Sequence, residues 1–186
     1  IMERVMAGQV ELFDELVHRH QTSMHRAAIS KLRDWTVAEE AVQDAFLAAF
    51  AHRHTYRSEH SFRGWLWTIL LNTCRGLAKR ELGRADRAGR HSEVTPPAEP
   101  CSSGDALSQL VRAEQAALLF RFLNELPEAQ ADALRLRFFG ELKFDEIAHV
   151  MTCSTNGAKQ RVRSGLERLS ANLRRADVSS IDASDL

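Results

Sequence analysis

Glycine and proline are scarce in this chain of 186 residues, numbering 9 and 4. With so few turn-formers and helix-breakers, and with Leu, Ala, Arg and Glu dominant, the composition predicts an all-α protein. Cysteine is nearly absent. Cys74, Cys101 and Cys153 are odd in number and widely spaced, which fits reduced thiols better than a disulfide framework. Cys74 and Cys153 read as small apolar residues, whereas Cys101 lies in a proline-rich stretch and is a candidate oxidisable thiol. Long apolar runs are missing too. The longest, residues 66–71 with Thr68 inside it, is far too short to span a bilayer, and no signal-peptide layout opens the chain, so a cytoplasmic location is expected. The chain opens on Ile1 rather than methionine, which leaves room for leading residues before it.

Catalytic signatures are also lacking: there is no HExxH, no glycine-rich phosphate loop and no serine elbow. Eight histidines are present, and the triplet His18-Arg19-His20 recurs as His52-Arg53-His54. Residues two apart on a helix point in different directions, so neither triplet is a helical chelate, and no metal site or cofactor is expected.

The formal net charge is +0, but the charges are segregated. Residues 143–169, KFDEIAHVMTCSTNGAKQRVRSGLERL, read as two helices joined by a tight polar turn, a helix-turn-helix. Phe144, Ile147, Ala148 and Met151 recur at i, i+3, i+4 and i+7, one apolar stripe. Thr152-Cys153-Ser154 breaks the pattern, and Ser154 is a good N-cap for the second helix. There Ala158, Val162, Leu166 and Leu169 form the stripe, and the opposite face carries Asn156, Gln160, Arg163 and Ser164, flanked by Lys159, Arg161 and Arg168. Amides, hydroxyls and guanidinium forks on such a helix suit base edges in a major groove, and the flanking cations suit phosphates. Ser154 to Arg175 holds six cations against Glu167 alone. About five phosphates neutralised would give a salt slope on the order of −4 to −5.

Earlier in the chain, residues 10–32 read as a helix with Leu12, Phe13, Leu16, Val17, Met24, Ala27, Ala28 and Leu32 as its apolar face and His18, His20 and His25 on its polar side. Thr36 and Glu39 have the form of a capping box opening the next helix. Its inner face is Ala38, Ala41, Val42, Ala45, Phe46 and Ala49, small enough for close packing, and its outer face shows Glu40, Gln43, Asp44 and Leu47. A polar loop, Tyr56-Arg57-Ser58-Glu59-His60-Ser61, follows, and Ser61 caps a helix with Phe62, Leu66, Ile69, Leu70, Thr73 and Leu77 inward. Arg63, Trp67, Asn72, Arg75 and Lys79 lie away from that stripe, and Trp65 reads as core. An aromatic ring beside cations suits single-stranded DNA, which stacks a base while its backbone follows the charges.

The composition changes at residues 84–104, RADRAGRHSEVTPPAEPCSSG, a flexible linker. It divides the chain into two small helical domains, residues 8–83 and 105–176, with a Ser- and Asp-rich tail at 177–186 read as disordered. Leu126-Pro127 ends one helix of the second domain and starts another, and Gly140 is a natural C-terminal cap before the helix-turn-helix.

Two blocks match one family in order. AEEAVQDAFLAAF with SFRGWLWTILLNTCRGLAKRE resembles region 2 of sigma-70 family transcription initiation factors, and LPEAQADALRLRFFGELKFDEIAHVMTCSTNGAKQRVRSGLERL resembles their region 4. The short linker is similar to that of the compact extracytoplasmic-function (ECF) group. The resemblance implies a factor that joins core RNA polymerase, recognises a promoter at two elements and opens the DNA, with no covalent chemistry of its own. It assigns Glu40, Gln43, Asp44 and Leu47 to docking on the polymerase β′ clamp helices, with region 4 meeting the β flap. It assigns Tyr56, Arg57, Ser58, His60, Ser61, Arg63, Trp67, Asn72, Arg75 and Lys79 to the minus-ten element, where an unstacked base is captured. Ser154, Asn156, Lys159, Gln160, Arg161, Arg163, Ser164 and Arg168 fall to the minus-thirty-five element. Strand separation costs about 1.4 kcal/mol per base-pair step, which a base pocket and a cationic helix must offset. The chain departs from the family at Gly157 and Ala158, where threonine and a larger aliphatic are usual, and at Asp44, usually glutamate; Gly157 weakens its turn by up to about 1 kcal/mol. The family also implies a partner, commonly an anti-sigma factor anchored in the membrane that covers the polymerase-binding faces until a stress signal; the length and composition of residues 84–104 further suggest that the two domains close around it.

Two rivals differ in class. A two-domain helix-turn-helix regulator would bind duplex DNA without polymerase, but Gln43, Asp44, Trp65, Trp67 and Asn72 have no evident reason to occur together in a sensor. An enzyme built on the histidines with Glu39, Glu40 and Asp44 lacks every catalytic motif sought above.

Overall fold

The computed structural model describes residues 1–59, 61–88 and 106–182, with side chains described for 1–59, 61–81 and 114–175. His60, Cys101 and residues 89–104 of the expected linker lie outside the described residues. All the described secondary structure is helical: α1 (Met2–Met6), α2 (Phe13–Leu32), α3 (Trp35–Ala51), α4 (Phe62–Ala88), α5 (Ala106–Glu125), α6 (Glu128–Phe138), α7 (Phe144–Val150) and α8 (Thr155–Asp182), with single 3-10 turns at Val10–Leu12 and Arg53–Thr55. Helix α4 runs past Arg84, where the composition changes, and α8 runs past Asp177.

Helices α2, α3 and α4 form the first bundle. α2 ends where Arg33 adopts a left-handed φ of 60° and donates its N–H to the Ile29 carbonyl at 3.0 Å. α3 starts immediately after. Its cap is Asp34, whose carboxylate accepts the Val37 N–H at 3.0 Å, and not the Thr36 expected from the capping-box pattern. The carboxylate reaches the N3 amide from the position before the first helical residue, and Trp35 opens the helix. Ala38, Ala41, Val42, Ala45, Phe46 and Ala49 are all buried, as their spacing predicts, so α3 packs closely against its neighbours.

The second group is α5 to α8. Pro127 precedes α6 and its carbonyl accepts the Ala131 N–H at 3.1 Å. α8 crosses α6 at Gly165, where a Cβ would lie 3.0 Å from Leu134 Cδ1. Its buried stripe is Ala158, Val162 and Gly165, with Leu169 half-buried; Leu166, expected in that stripe, is 41% exposed because it lies one position off the line facing α6. Gly140 is not the left-handed cap expected. The neighbouring Glu141 takes the positive φ of 52°, and Gly140 is required for space: a Cβ would lie 2.7 Å from the Leu136 carbonyl oxygen and 3.0 Å from Trp67 Cε2.

Trp67 belongs to α4, so that contact joins the two groups. α2 packs on α5 and α4 on α7, and one apolar cluster runs through both groups. A buried polar network crosses the same boundary. Asp132 accepts from Lys31 Nζ at 2.9 and 3.1 Å, from Arg75 Nη2 at 3.0 Å and from Arg135 Nη1 at 3.1 Å, which fills its lone pairs. Arg135 also donates to Ser30 Oγ, to the Ser30 carbonyl and to Asn124 Oδ1, each at 2.9 Å. The Ser30 carbonyl lies in the last turn of α2, where backbone acceptors lack helical partners and a cation opposes the negative end of the helix dipole. Burial pulls the Arg135 guanidinium below its ordinary value, and Asp132 opposes that fall.

Candidate polymerase and nucleic-acid interface

Three faces carry the residues singled out in the sequence. On α3, Glu40, Gln43 and Leu47 are exposed and Asp44 is half-buried. Leu47 stands 62% exposed among acidic and amide side chains, an apolar centre with a polar rim. Glu40 reaches across to Arg80 of α4 at 3.3 Å, an exposed pair that adds little stability.

On the loop before α4, Tyr56 packs edge-on against Phe62 at 5.7 Å and tilted against Trp65 at 5.6 Å. Burial, with Glu3 nearby, pushes the Tyr56 hydroxyl above its ordinary value. Arg57 and Ser58 are exposed, and Ser61 is half-buried. The loop borders a cavity of about 550 Å³ whose wall includes Tyr56, Ser58, Ser61 and Arg63 but not Arg57. His20 of α2 closes its floor. His20 is buried rather than on a solvated side, and burial, then Arg63 and Arg19, hold its imidazole below the ordinary histidine range. Glu141, Lys143 and Glu146 of the second helical group close the opposite side.

Along α4 the expected minus-ten set divides. Asn72 and Lys79 are exposed, and Arg63 and Arg75 are half-buried. Trp67 is corrected: expected on the outward side, it is 0% exposed, under Gly140. Trp65, expected in the core, is the half-buried one and sits in the loop's aromatic cluster. α4 is covered on two sides, one by its own bundle and one by the second group, so the ring facing away from the first is still enclosed. The Trp67 Nε1–H has no hydrogen-bond partner in that position. A buried donor left unpaired costs about 1–3 kcal/mol.

The helix-turn-helix stands as the sequence laid it out, with α7 and α8 joined by residues 151–154. Ser154 Oγ accepts the Gly157 N–H at 3.0 Å, so that hydroxyl is engaged as a cap. A Cβ on Gly157 would lie 3.3 Å from the same oxygen, and the glycine keeps the cap close. Ser154, Asn156, Lys159, Gln160, Arg163 and Arg168 are exposed, and Arg161 and Ser164 are half-buried. Arg163 pairs with Glu167 at 2.9 Å, and Gln160 Nε2 donates to Ser164 Oγ at 3.2 Å. Both contacts lie at i,i+4 on an open surface and yield readily to a ligand.

Sequence reasoning missed Lys31, Asn124, Glu128, Asp132 and Arg135. Their partners lie up to 105 residues away, and the only local signal was a charged pair, Asp132 and Arg135, set among the apolar positions of α6.

Residues 16–84 match the family model for Sigma-70 region 2, and residues 116–169 match that for Sigma-70, region 4. The chain is 30% identical over 170 residues to the RNA polymerase sigma-H factor of Pseudomonas aeruginosa, covering 87% of this chain and 86% of that protein. It is 31% identical over 172 residues to the ECF RNA polymerase sigma-E factor of Escherichia coli, with the same 87% and 86% covered. Two solved structures share its fold. CnrH in complex with the cytosolic domain of CnrY has a TM-score of 0.70 at 22% identity, covering 94% of this chain and 95% of that one. The sigma factor RpoE in complex with the anti-sigma factor NepR from Bartonella quintana has a TM-score of 0.68 at 24% identity, covering 87% and 96%. Two region models in order, and relatives at least 30% identical along 86% of their own length, lead to one conclusion: the chain belongs to the sigma-70 family of transcription initiation factors, in its extracytoplasmic-function group.

Proposed function

We propose that this chain does the work of a sigma factor, binding core RNA polymerase and directing it to promoter DNA, through the three faces described. The α3 face of Glu40, Gln43, Asp44 and Leu47 docks on the β′ clamp helices, and region 4 meets the β flap. The loop of Tyr56, Arg57, Ser58, His60 and Ser61 and the cavity beside it take an unstacked base, while Arg63, Asn72, Arg75 and Lys79 follow the strand. Helix α8 reads the minus-thirty-five element through Asn156, Lys159, Gln160, Arg163 and Ser164, with Arg161 and Arg168 toward phosphate. The protein itself makes and breaks no covalent bond.

The observation that carries this reading is the α3 face: a large apolar residue, Leu47, stands exposed within an acidic rim on a helix whose inner side is fully buried. That is the anatomy of a docking patch for a basic helix pair. An anti-sigma factor, membrane-anchored and released under stress, competes for the same patch, and the factor works in the cytoplasm. The Bartonella quintana RpoE of like fold is bound to the anti-sigma factor NepR and CnrH to the cytosolic domain of CnrY, which supports a protein partner, and among the described residues no helix is long and apolar enough to cross a membrane.

Run-off transcription with core RNA polymerase on a pool of promoters tests the assignment. A transcript that requires this protein and disappears with Gln43→Ala plus Asp44→Ala supports it. Binding to duplex DNA without polymerase association or transcript would favour the two-domain regulator instead.

A further inference from the structure

Two of the cations assigned to the minus-ten strand, Arg75 and Arg63, are engaged by acids, and so is Lys31 nearby. Arg75 donates to Asp132 at 3.0 Å and lies 3.5 Å from Glu128. Lys31, beside it, contacts Glu128 and Asp132 at 2.9 Å each. Arg63 lies 3.6 Å from the Glu141 carboxylate. All three acids belong to the second helical group. The same group closes one side of the base cavity with Glu141, Lys143 and Glu146, and it covers Trp67 so fully that its indole N–H has no acceptor.

We propose that region 4 is an intramolecular competitor for the minus-ten strand, with Glu128, Asp132 and Glu141 standing where phosphates would stand against Arg75, Lys31 and Arg63. This rests on the reading of α4 as the minus-ten element. A carboxylate and a phosphodiester offer a cation the same thing, one negative charge spread over two oxygens, so either can occupy the site but not both. Single-stranded DNA therefore binds only when the two groups part, and the apparent affinity of the free factor falls by the fraction of molecules that are open. The unpaired Trp67 N–H favours parting, since an open molecule exposes it to water. The α3 face lies away from this contact, and polymerase reaches it in either state.

Glu128 and Glu141 are exposed, with side chains 64% and 78% accessible, so Glu128→Gln with Glu141→Gln is expected to fold normally. The control is Glu11→Gln with Asp14→Asn, which makes the same charge change on exposed positions outside the contact. A short fluorescein-labelled single-stranded DNA of mixed sequence is titrated by anisotropy against the wild type, the pair and the control. The proposal expects the pair to bind at least several-fold more tightly than the control, and expects added DNA to speed amide exchange in the α6 segment of wild type. Equal affinity of pair and control, or exchange unchanged by DNA, overturns it. Run-off transcription separates the two layers. If wild-type holoenzyme transcribes and Arg63→Ala with Arg75→Ala does not, while pair and control bind alike, the competitor falls and the minus-ten reading stands. If Arg63→Ala with Arg75→Ala transcribes as wild type, both fall together.

Discussion

Lys31 Nζ sits 2.9 and 3.1 Å from the two carboxylate oxygens of Asp132, and the two residues are 101 positions apart in the chain. Asp132 is 0% exposed and Arg135 beside it 2% exposed, so the network has little water to fall back on. Removing one member of a buried ionic cluster leaves the others uncompensated, which typically costs 3–5 kcal/mol. Asp132→Ala is expected to lose about that much in urea denaturation. A loss under about 1 kcal/mol would mean that the two helical groups are apart in solution.

Thr152, in the turn of the helix-turn-helix, has a φ of 49°. A β-branched residue in the left-handed region is strained, and Thr152 is exposed, so its side chain gives little in return. Thr152→Gly is expected to stabilise the protein by about 1 kcal/mol, raising the melting temperature by about 2–4 °C. A lower melting temperature would show that the hydroxyl or methyl makes contacts that outweigh the strain.

His20 gives the stability a pH dependence with a definite sign. Burial, then Arg63 and Arg19, lower its folded pKa below the ordinary histidine value of about 6.5. The unfolded chain therefore takes up the proton first, and stability that is complete above that value is lost as pH falls through the folded one. The melting temperature is expected to drop between about pH 7.5 and pH 5.5, and His20→Gln to flatten that drop. An identical slope in both proteins would place the dependence on other histidines.

Much of this was legible in the sequence. The inner face of α3 was fully readable because six small or apolar residues keep the helical period without interruption, and the helix-turn-helix was readable because Ser154 and its apolar stripes mark both helices. Three of the misreadings share one cause, while the Thr36 cap and the inward Leu166 failed on local register. Trp65 and Trp67 were exchanged because a periodicity argument gives each helix a single buried side, whereas α4 is packed on two. Gly140 was read as a cap because sequence alone does not reveal that Trp67 will press against it from another domain. The ionic network was invisible for the same reason: Asp132 and Arg135 are neighbours on α6, but Lys31, Arg75 and Ser30 reach them only through tertiary packing.

Cys74 is a buried thiol at 1% exposure, and burial pushes it up to about 12. The charged groups acting on it are Lys31, Arg135, Asp132 and Arg75, the members of the network between the two helical groups. In the closed molecule the thiol is both shielded and protonated, and a thiolate reagent finds neither access nor nucleophile. Alkylation of Cys74, followed separately from Cys101 and Cys153, is therefore expected to quicken when that boundary opens.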